Sequence, residues 1–384
     1  MQNFDYRNPV RILFGKGQIA KLASLVDRSH KIMLIYGGGS IKKNGVYDQV
    51  TKALSKVDLI EFSGIEPNPQ YDTCMKAVDA IKNEKVDFLL AVGGGSVVDA
   101  TKFIAAAACF KGADPWAILS QWKPVREAVP FGSVLTLPGT GSEMNSGSVI
   151  SRAETDQKLF FNSPAVYPQF SILDPETTFS LPTRQTINGI IDAYVHVAEQ
   201  YLTYPVNSPL QDRYCESVLL TLIEEGPKVL REPNDYDARA NVMWCATCAL
   251  NGSVAPGTPS DWATHIIGHE ITAQYGLDHA QTLALVLPGT LQVQREAKKD
   301  KLLQYGARVF GIDSGADDER IDATITATEE FFRSLGQMTR LSEYEIADEA
   351  CDIIARRMGA KPVKFGEHQD IGQDKTREIM KLRV

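Results

Sequence analysis

Between Ile187 and Gln281 the chain gathers four of its six histidines, His196, His265, His269 and His279. Asp192 and His196 are four residues apart in NGIIDAYVHVAEQ, a run without proline whose apolar residues recur at helical spacing. A helix places both side chains on one face. Downstream, DWATHIIGHEITAQYGLDHAQ sets His265 and His269 one helical turn apart, with His279 following a Gly-Leu-Asp turn signal. A single histidine on an apolar helix is an ordinary core residue. One carboxylate with several imidazoles on two helices and a loop can instead close around a divalent transition metal, and chemistry of that kind is polarisation of a substrate oxygen.

A second kind of chemistry is written into glycine. Gly93-Gly94-Gly95-Ser96 follows the apolar run Val86–Val92 and opens the helical pattern Val97–Phe110. Without Cβ atoms, backbone N–H groups approach a phosphate closely, and a helix N-terminus adds favourable partial charge. Asp99 falls in the first turn of this expected helix, placed to cap free N–H groups or to hold a ribose hydroxyl. Leu135-Thr136-Leu137-Pro138-Gly139-Thr140-Gly141-Ser142-Glu143 is another Gly-rich loop after a strand, with hydroxyls suited to phosphate or ribose. The usual G-x-G-x-x-G signature is absent. A third loop, Gly37-Gly38-Gly39-Ser40, follows the strand Lys31–Tyr36, a position where many dinucleotide folds carry an acid for the ribose 2′-hydroxyl. Here glycines and Ser40 are followed by Lys42 and Lys43, a setting that accepts a 2′-phosphate and favours NADP(H) over NAD(H).

The elements that must position these groups divide into two textures. To about residue 180, short apolar strands alternate with Gly-rich turns and helices: Val10–Phe14, Lys31–Tyr36, Leu59–Phe62, Val86–Val92, Phe131–Thr136 and Phe170–Leu173 read as strands of a parallel α/β sheet. Beyond Asp174 long helical patterns follow one another, among them Arg184–Leu202, Pro209–Leu230, Tyr236–Leu250, Trp262–Tyr275 and Thr282–Glu296. The expectation is an α/β dinucleotide-binding domain over 1–180 and an all-helical metal-binding domain over 181–384.

Composition narrows the function. The chain has 384 residues, 43% hydrophobic and 23% charged, as in a soluble enzyme, and its net charge of -8 argues against a nucleic-acid partner. No signal peptide or membrane-spanning run is evident, and a reducing cytoplasm suits the six cysteines. Cys245 and Cys248 form a C-x2-C pair, but no second pair completes a zinc site and the surrounding ANVMWCATCALNG reads as buried helix.

Together, GGGSVVDATK, LPGTGSE, the Asp192/His196 pair and the His265–His279 segment resemble the iron-containing (group III) alcohol dehydrogenases, and within them the NADPH-dependent butanol dehydrogenase and aldehyde reductase branch. The resemblance covers essentially the whole chain. It implies a Rossmann-like, dehydroquinate synthase-like N-terminal domain, a helical C-terminal domain and an active site in the cleft between them. It implies Asp192, His196, His265 and His279 as ligands of one Fe2+ or Zn2+. It implies Gly37, Gly38, Gly39, Ser40, Asn68, Gly94, Gly95, Ser96, Asp99, Thr136, Thr140, Asn145 and Lys158 around NADP(H), and His269 near the substrate without binding metal, a place from which an imidazole can deliver a proton to the alkoxide. The family's threonine-rich loop reads Leu137-Pro138-Gly139-Thr140 here, which puts that loop's individual contacts in question. The implied reaction is hydride transfer between NADP(H) and a short- to medium-chain aldehyde or primary alcohol. Trp262, Leu250 and Val254 are the expected apolar lining, and a homodimer the expected assembly. Two alternatives stay open: a nicotinamide- and metal-dependent lyase of the dehydroquinate synthase type, and a metallohydrolase in which the GGGS loops are incidental.

Overall fold

The computed structural model describes all 384 residues. Its strands are β1 (Arg11–Phe14), β2 (Lys31–Tyr36), β3 (Asp58–Phe62), β4 (Phe88–Gly94), β5 (Phe131–Leu137), β6 (Gly147–Arg152), β7 (Gln157–Asn162) and β8 (Phe170–Leu173). Interleaved with them are α1 (Leu22–Leu25), α2 (Ser40–Lys43), α3 (Val46–Ala53), α4 (Tyr71–Glu84), α5 (Gly95–Cys109) and α6 (Ala117–Ser120). From Thr183 onward only helices follow: α7 (Thr183–Tyr201), α8 (Pro209–Arg231), α9 (Tyr236–Leu250), α10 (Ala263–Tyr275), α11 (His279–Val293), α12 (Lys299–Val309), α13 (Asp317–Ser334), α14 (Ala350–Gly359) and α15 (Gln373–Lys381).

Two compact units result. One holds Arg7–Pro182 with Asn234–Thr247, and the other holds Met1–Tyr6, Thr183–Pro233 and Cys248–Val384. A division at 180/181 assigns Met1–Tyr6 and Asn234–Thr247 the other way. Packing within each unit, which sequence position does not reveal, makes the difference.

In the first unit six strands form a parallel sheet in the order β1-β8-β5-β4-β2-β3, and β6 and β7 pair as an antiparallel hairpin. Both faces of the sheet are covered, because alternate side chains of each strand face opposite ways. Met33, Ile35, Leu89 and Ala91 pack against α4 and α5, while Ile32, Leu34, Leu90 and Val92 pack with residues of α1 and α3. The stretch from Gly17 to Val26, whose sequence reads as one helix, forms a 3-10 turn, Gln18–Lys21, followed by the single turn α1. Between β4 and β5 the register shifts: Gly93 faces Leu135 and Gly94 faces Leu137, so Thr136 is the extra residue of a bulge.

The second unit is built around α7, buried continuously from Gly189 to Tyr201. A helix enclosed on all sides carries apolar residues all round, and the polar ones it does carry require partners. Helices α8 and α11 pack on α7, and α10 packs on α11. No helix is long and apolar enough to cross a membrane.

Candidate metal centre and phosphate-binding loops

In the helical unit, Asp192 and His196 share one face of α7, as their spacing predicts. His196 Nε2 and Asp192 Oδ1 are 3.7 Å apart. His265 Nε2 from α10 and His279 Nε2 from α11 lie 3.9 and 3.6 Å from the same oxygen. One donor atom each from Asp192, His265 and His279 falls within 4.8 Å of the others. These separations exceed ordinary hydrogen bonds, whereas donors bound about 2.1 Å from a common ion sit roughly 3–4 Å from one another. The donor chemistry, three neutral imidazoles and one carboxylate, suits Fe2+ or Zn2+.

His279 departs from expectation in one respect: it is the first residue of α11, not part of a loop. Asp278 stands at the N-cap of α11, and its backbone N–H donates to Gln281 Oε1 at 2.9 Å. Helix α10 approaches α11 closely at Gly268, where a Cβ would meet Thr282 Oγ1 at 2.7 Å. His269, one turn beyond His265, is buried with its ring centroid 5.1 Å from that of His279. Trp262 packs edge-on against His265 and His196, with ring centroids 5.3 and 6.2 Å away. Val254, expected to line the substrate pocket, is wholly enclosed in the core.

Sequence reasoning missed Glu199. It lies three residues past His196, fully inside the helical unit, and accepts a short hydrogen bond from His265 Nδ1. Its oxygens also accept from the N–H groups of Thr264, at 2.6 Å, and His265, at 3.3 Å. A carboxylate on Nδ1 fixes the tautomer that leaves the Nε2 lone pair facing Asp192. Burial drives the Glu199 carboxyl well above the usual range, and neighbouring Asp261 adds to the effect. Lys298 offsets that concentration of acid: its Nζ lies 2.7 Å from both Asp261 Oδ2 and Glu367 Oε1, in a side chain 1% exposed. The available signal was an acid in the otherwise apolar run that follows Asp192.

In the sheet unit, β4 runs straight into α5, so Gly93 and Gly94 end the strand and Gly95 and Ser96 begin the helix. Gly95 is required sterically, since a Cβ there would lie 2.3 Å from Thr140 Oγ1. That close approach brings Thr140 against the opening turn of α5, and the free N–H groups of the turn remain a cradle for phosphate. Asp99 sits one turn into the helix, not in its first turn, and serves neighbouring segments. Its side chain accepts from Ser142 Oγ at 2.5 Å and from the Val149 N–H at 2.9 Å. Burial raises its carboxyl above the ordinary value, with Lys102 opposing.

Lys102, quoted in GGGSVVDATK but given no role from sequence, is fully buried. It donates to Ser142 Oγ (2.8 Å), Asn145 Oδ1 (2.8 Å) and the Gly147 carbonyl (2.7 Å), tying the loop after β5 to α5. Burial pushes its ammonium down to about 8. Asn145 also donates to the Thr140 carbonyl at 3.3 Å, and Lys158 donates to Asn68 Oδ1 at 2.9 Å. Thr136 is buried at the bulge.

Gly37, Gly38, Gly39 and Ser40 lead from β2 into α2. Lys42 is occupied there, 3.0 Å from Glu61 Oε2 and over the Tyr47 ring at 4.5 Å. Glu61 also accepts from the hydroxyls of Tyr36 and Tyr47. An acid therefore does stand beside this loop, on the adjacent strand β3, but it is neutralised locally. Ser40 and Lys43 are exposed.

Residues 9–175 match the family described as iron-containing alcohol dehydrogenase, and residues 186–384 match its C-terminal domain. The chain belongs to the iron-containing alcohol dehydrogenase family. It is 53% identical over 382 residues to the NADPH-dependent aldehyde reductase YqhD of Escherichia coli K12, covering 99% of each chain. It is 43% identical, over the full length of both chains, to a probable NADH-dependent butanol dehydrogenase of Bacillus subtilis. A solved structure of the Escherichia coli protein superposes with a TM-score of 0.98 at 52% identity, covering 100% of this chain and 99% of that one. Within this family, the lyase and hydrolase alternatives are not favoured.

Proposed function

We propose that this iron-containing alcohol dehydrogenase family member reduces short- to medium-chain aldehydes to primary alcohols with NADPH, and runs the reverse oxidation with NADP+. The observation that carries the reading is the convergence of three imidazole Nε2 atoms on the Asp192 carboxylate, with Glu199 behind His265. In this reading residues 1–180 form the dinucleotide-binding domain and residues 181–384 the metal-binding domain. Asp192, His196, His265 and His279 would hold one divalent ion, Fe2+ or Zn2+, which when bound polarises the carbonyl oxygen.

The chain's own residues do the rest. Glu199 holds the His265 ring in its metal-facing tautomer. Gly94, Gly95 and Ser96 present backbone N–H groups to the pyrophosphate, while Thr136, Thr140, Asn145, Asn68, Lys158 and Asp99 are assigned to the remainder of the dinucleotide. Gly37, Gly38, Gly39 and Ser40, with Lys43 nearby, leave room and a hydroxyl for a 2′-phosphate. NADPH, when bound, would supply the hydride for the carbonyl carbon, and His269 is assigned to deliver the proton to oxygen, since an imidazole titrates close to neutrality. A cytoplasmic homodimer completes the proposal.

The relatives carry both NADPH and NADH in their names, so cofactor choice is the sharp test. Metal-replete enzyme is assayed with butanal, and kcat/KM for NADPH should exceed that for NADH by about tenfold or more, a difference of roughly 1.4 kcal/mol. Equal or better use of NADH overturns the assignment of the Gly37–Ser40 loop. Absence of NADPH oxidation across an aldehyde panel overturns the activity.

A further inference from the structure

Arg184, Asn188, Asp192 and His196 recur every four residues along α7, a single stripe of polar side chains. The second half of the stripe belongs to the candidate metal centre. The first half grips another segment: Arg184 Nε and Nη2 lie 2.8 and 2.7 Å from Asp278 Oδ2, and Asn188 Nδ2 donates to the same oxygen at 2.7 Å. Asp278 is the capping residue of α11, and His279 is the next residue in the chain.

We infer that Asn188 and Arg184 are positioning residues for His279, and that through Asp278 they set the metal affinity of the site. This inference rests on the metal reading proposed above. Asp278 immediately precedes His279, so tying its carboxylate to α7 also restrains the Cα of His279, the first residue of α11. Asp278 is held at two points: its backbone N–H donates to Gln281 Oε1 at 2.9 Å, and its Oδ2 is tied to α7, the helix that carries Asp192. Both helices are thereby referenced to one atom. The His279 Nε2 to Asp192 Oδ1 separation is 3.6 Å. Asn188 makes its amide bond to Asp278 with Nδ2, while its Oδ1 is buried and accepts no hydrogen bond. Nothing else competes for that amide, so its service is to the cap.

The test is Zn2+ affinity of metal-stripped full-length protein, measured by competition with a chromogenic chelator, alongside the melting temperature of each apo variant. Asn188→Ala should weaken Zn2+ binding about tenfold, and Asn188→Asp, which sets like charges face to face, by more, up to about 100-fold. Arg184→Ala, at a largely exposed side chain, should fold normally and lose about threefold. In an Asp278→Ala background neither change should weaken binding further. Zn2+ affinities of Arg184→Ala and Asn188→Ala equal to the parent's, with or without a shift in melting temperature, overturn the positioning role. If Asn188→Ala fails to fold, the Arg184→Ala result decides alone. The metal reading fails separately: then the parent takes up no Zn2+, or His265→Ala binds it as tightly as the parent.

Discussion

The two units build their sites in opposite ways. In the sheet unit the groups proposed to face phosphate are mostly backbone, and the side chains around them hold loops in place: Lys102 secures the Ser142–Gly147 segment, Asp99 the β6 strand, and Gly95 makes room for Thr140. In the helical unit the atoms proposed to hold the metal are side-chain atoms, projected from three helices whose backbones satisfy themselves. Backbone amides bind a shape of charge and tolerate many side chains nearby, provided that no Cβ intrudes. Side-chain ligands need an orienting partner, and Glu199 on His265 is that partner.

The contrast can be broken first at a ligand. His265→Ala should abolish stoichiometric metal in elemental analysis and lower kcat/KM by about 10^3-fold or more, the scale of several kcal/mol of charge stabilisation. NADPH binding, followed by fluorescence titration, should survive. Full metal occupancy in this variant would show that His265 is not a ligand.

A smaller and complementary effect is expected at Gly95→Ala. The added Cβ would press on Thr140, so NADPH affinity should fall by about tenfold and stability by about 1–3 kcal/mol, with metal content unchanged. Unaltered NADPH affinity would remove the β4–α5 turn from the cofactor site.

The smallest effect sharpens the comparison by touching neither site. Burial pushes the Glu329 carboxyl up, but Arg383, Thr339 and Arg340 outweigh it and hold it at about 2, below the ordinary 4.5. A depressed carboxylate contributes stability that is present above 4.5 and lost as pH falls from there through about 2. Glu329→Gln should therefore cost about 1–2 kcal/mol at neutral pH, allowing for solvent screening, and the difference in melting temperature from the parent should close near pH 2. A difference that persists at pH 2 would assign the loss to packing instead.

Much of this was legible in the residues. The D-x3-H spacing of Asp192 and His196, and the H-x3-H spacing of His265 and His269, needed only the helical period. The parallel sheet announced itself through apolar strands meeting glycine, because strands covered on both faces cannot alternate with polar residues. Less legible were the groups whose role comes from a distant partner. Glu199 and Lys298 lie far apart in the chain and are brought together in the fold, with Asp261 bonded to both. Glu61 was overlooked because it lies on the neighbouring strand, where no count of residues after β2 reaches it. His279 was expected in a loop because the Gly-Leu-Asp signal marks a turn but does not say which residue caps the next helix.

Sequence alone decided the inventory: which atoms could take a metal, which turns could admit a phosphate, and which half of the chain would be sheet or helix. Those follow from side-chain chemistry and from periodicities that act over a few residues. Tertiary structure decided the pairings: Glu199 with His265, Lys102 with the loop after β5, and Asn188 with the cap of α11. Buried polar groups must find partners wherever the fold brings them, and chain separation carries no record of who those partners will be.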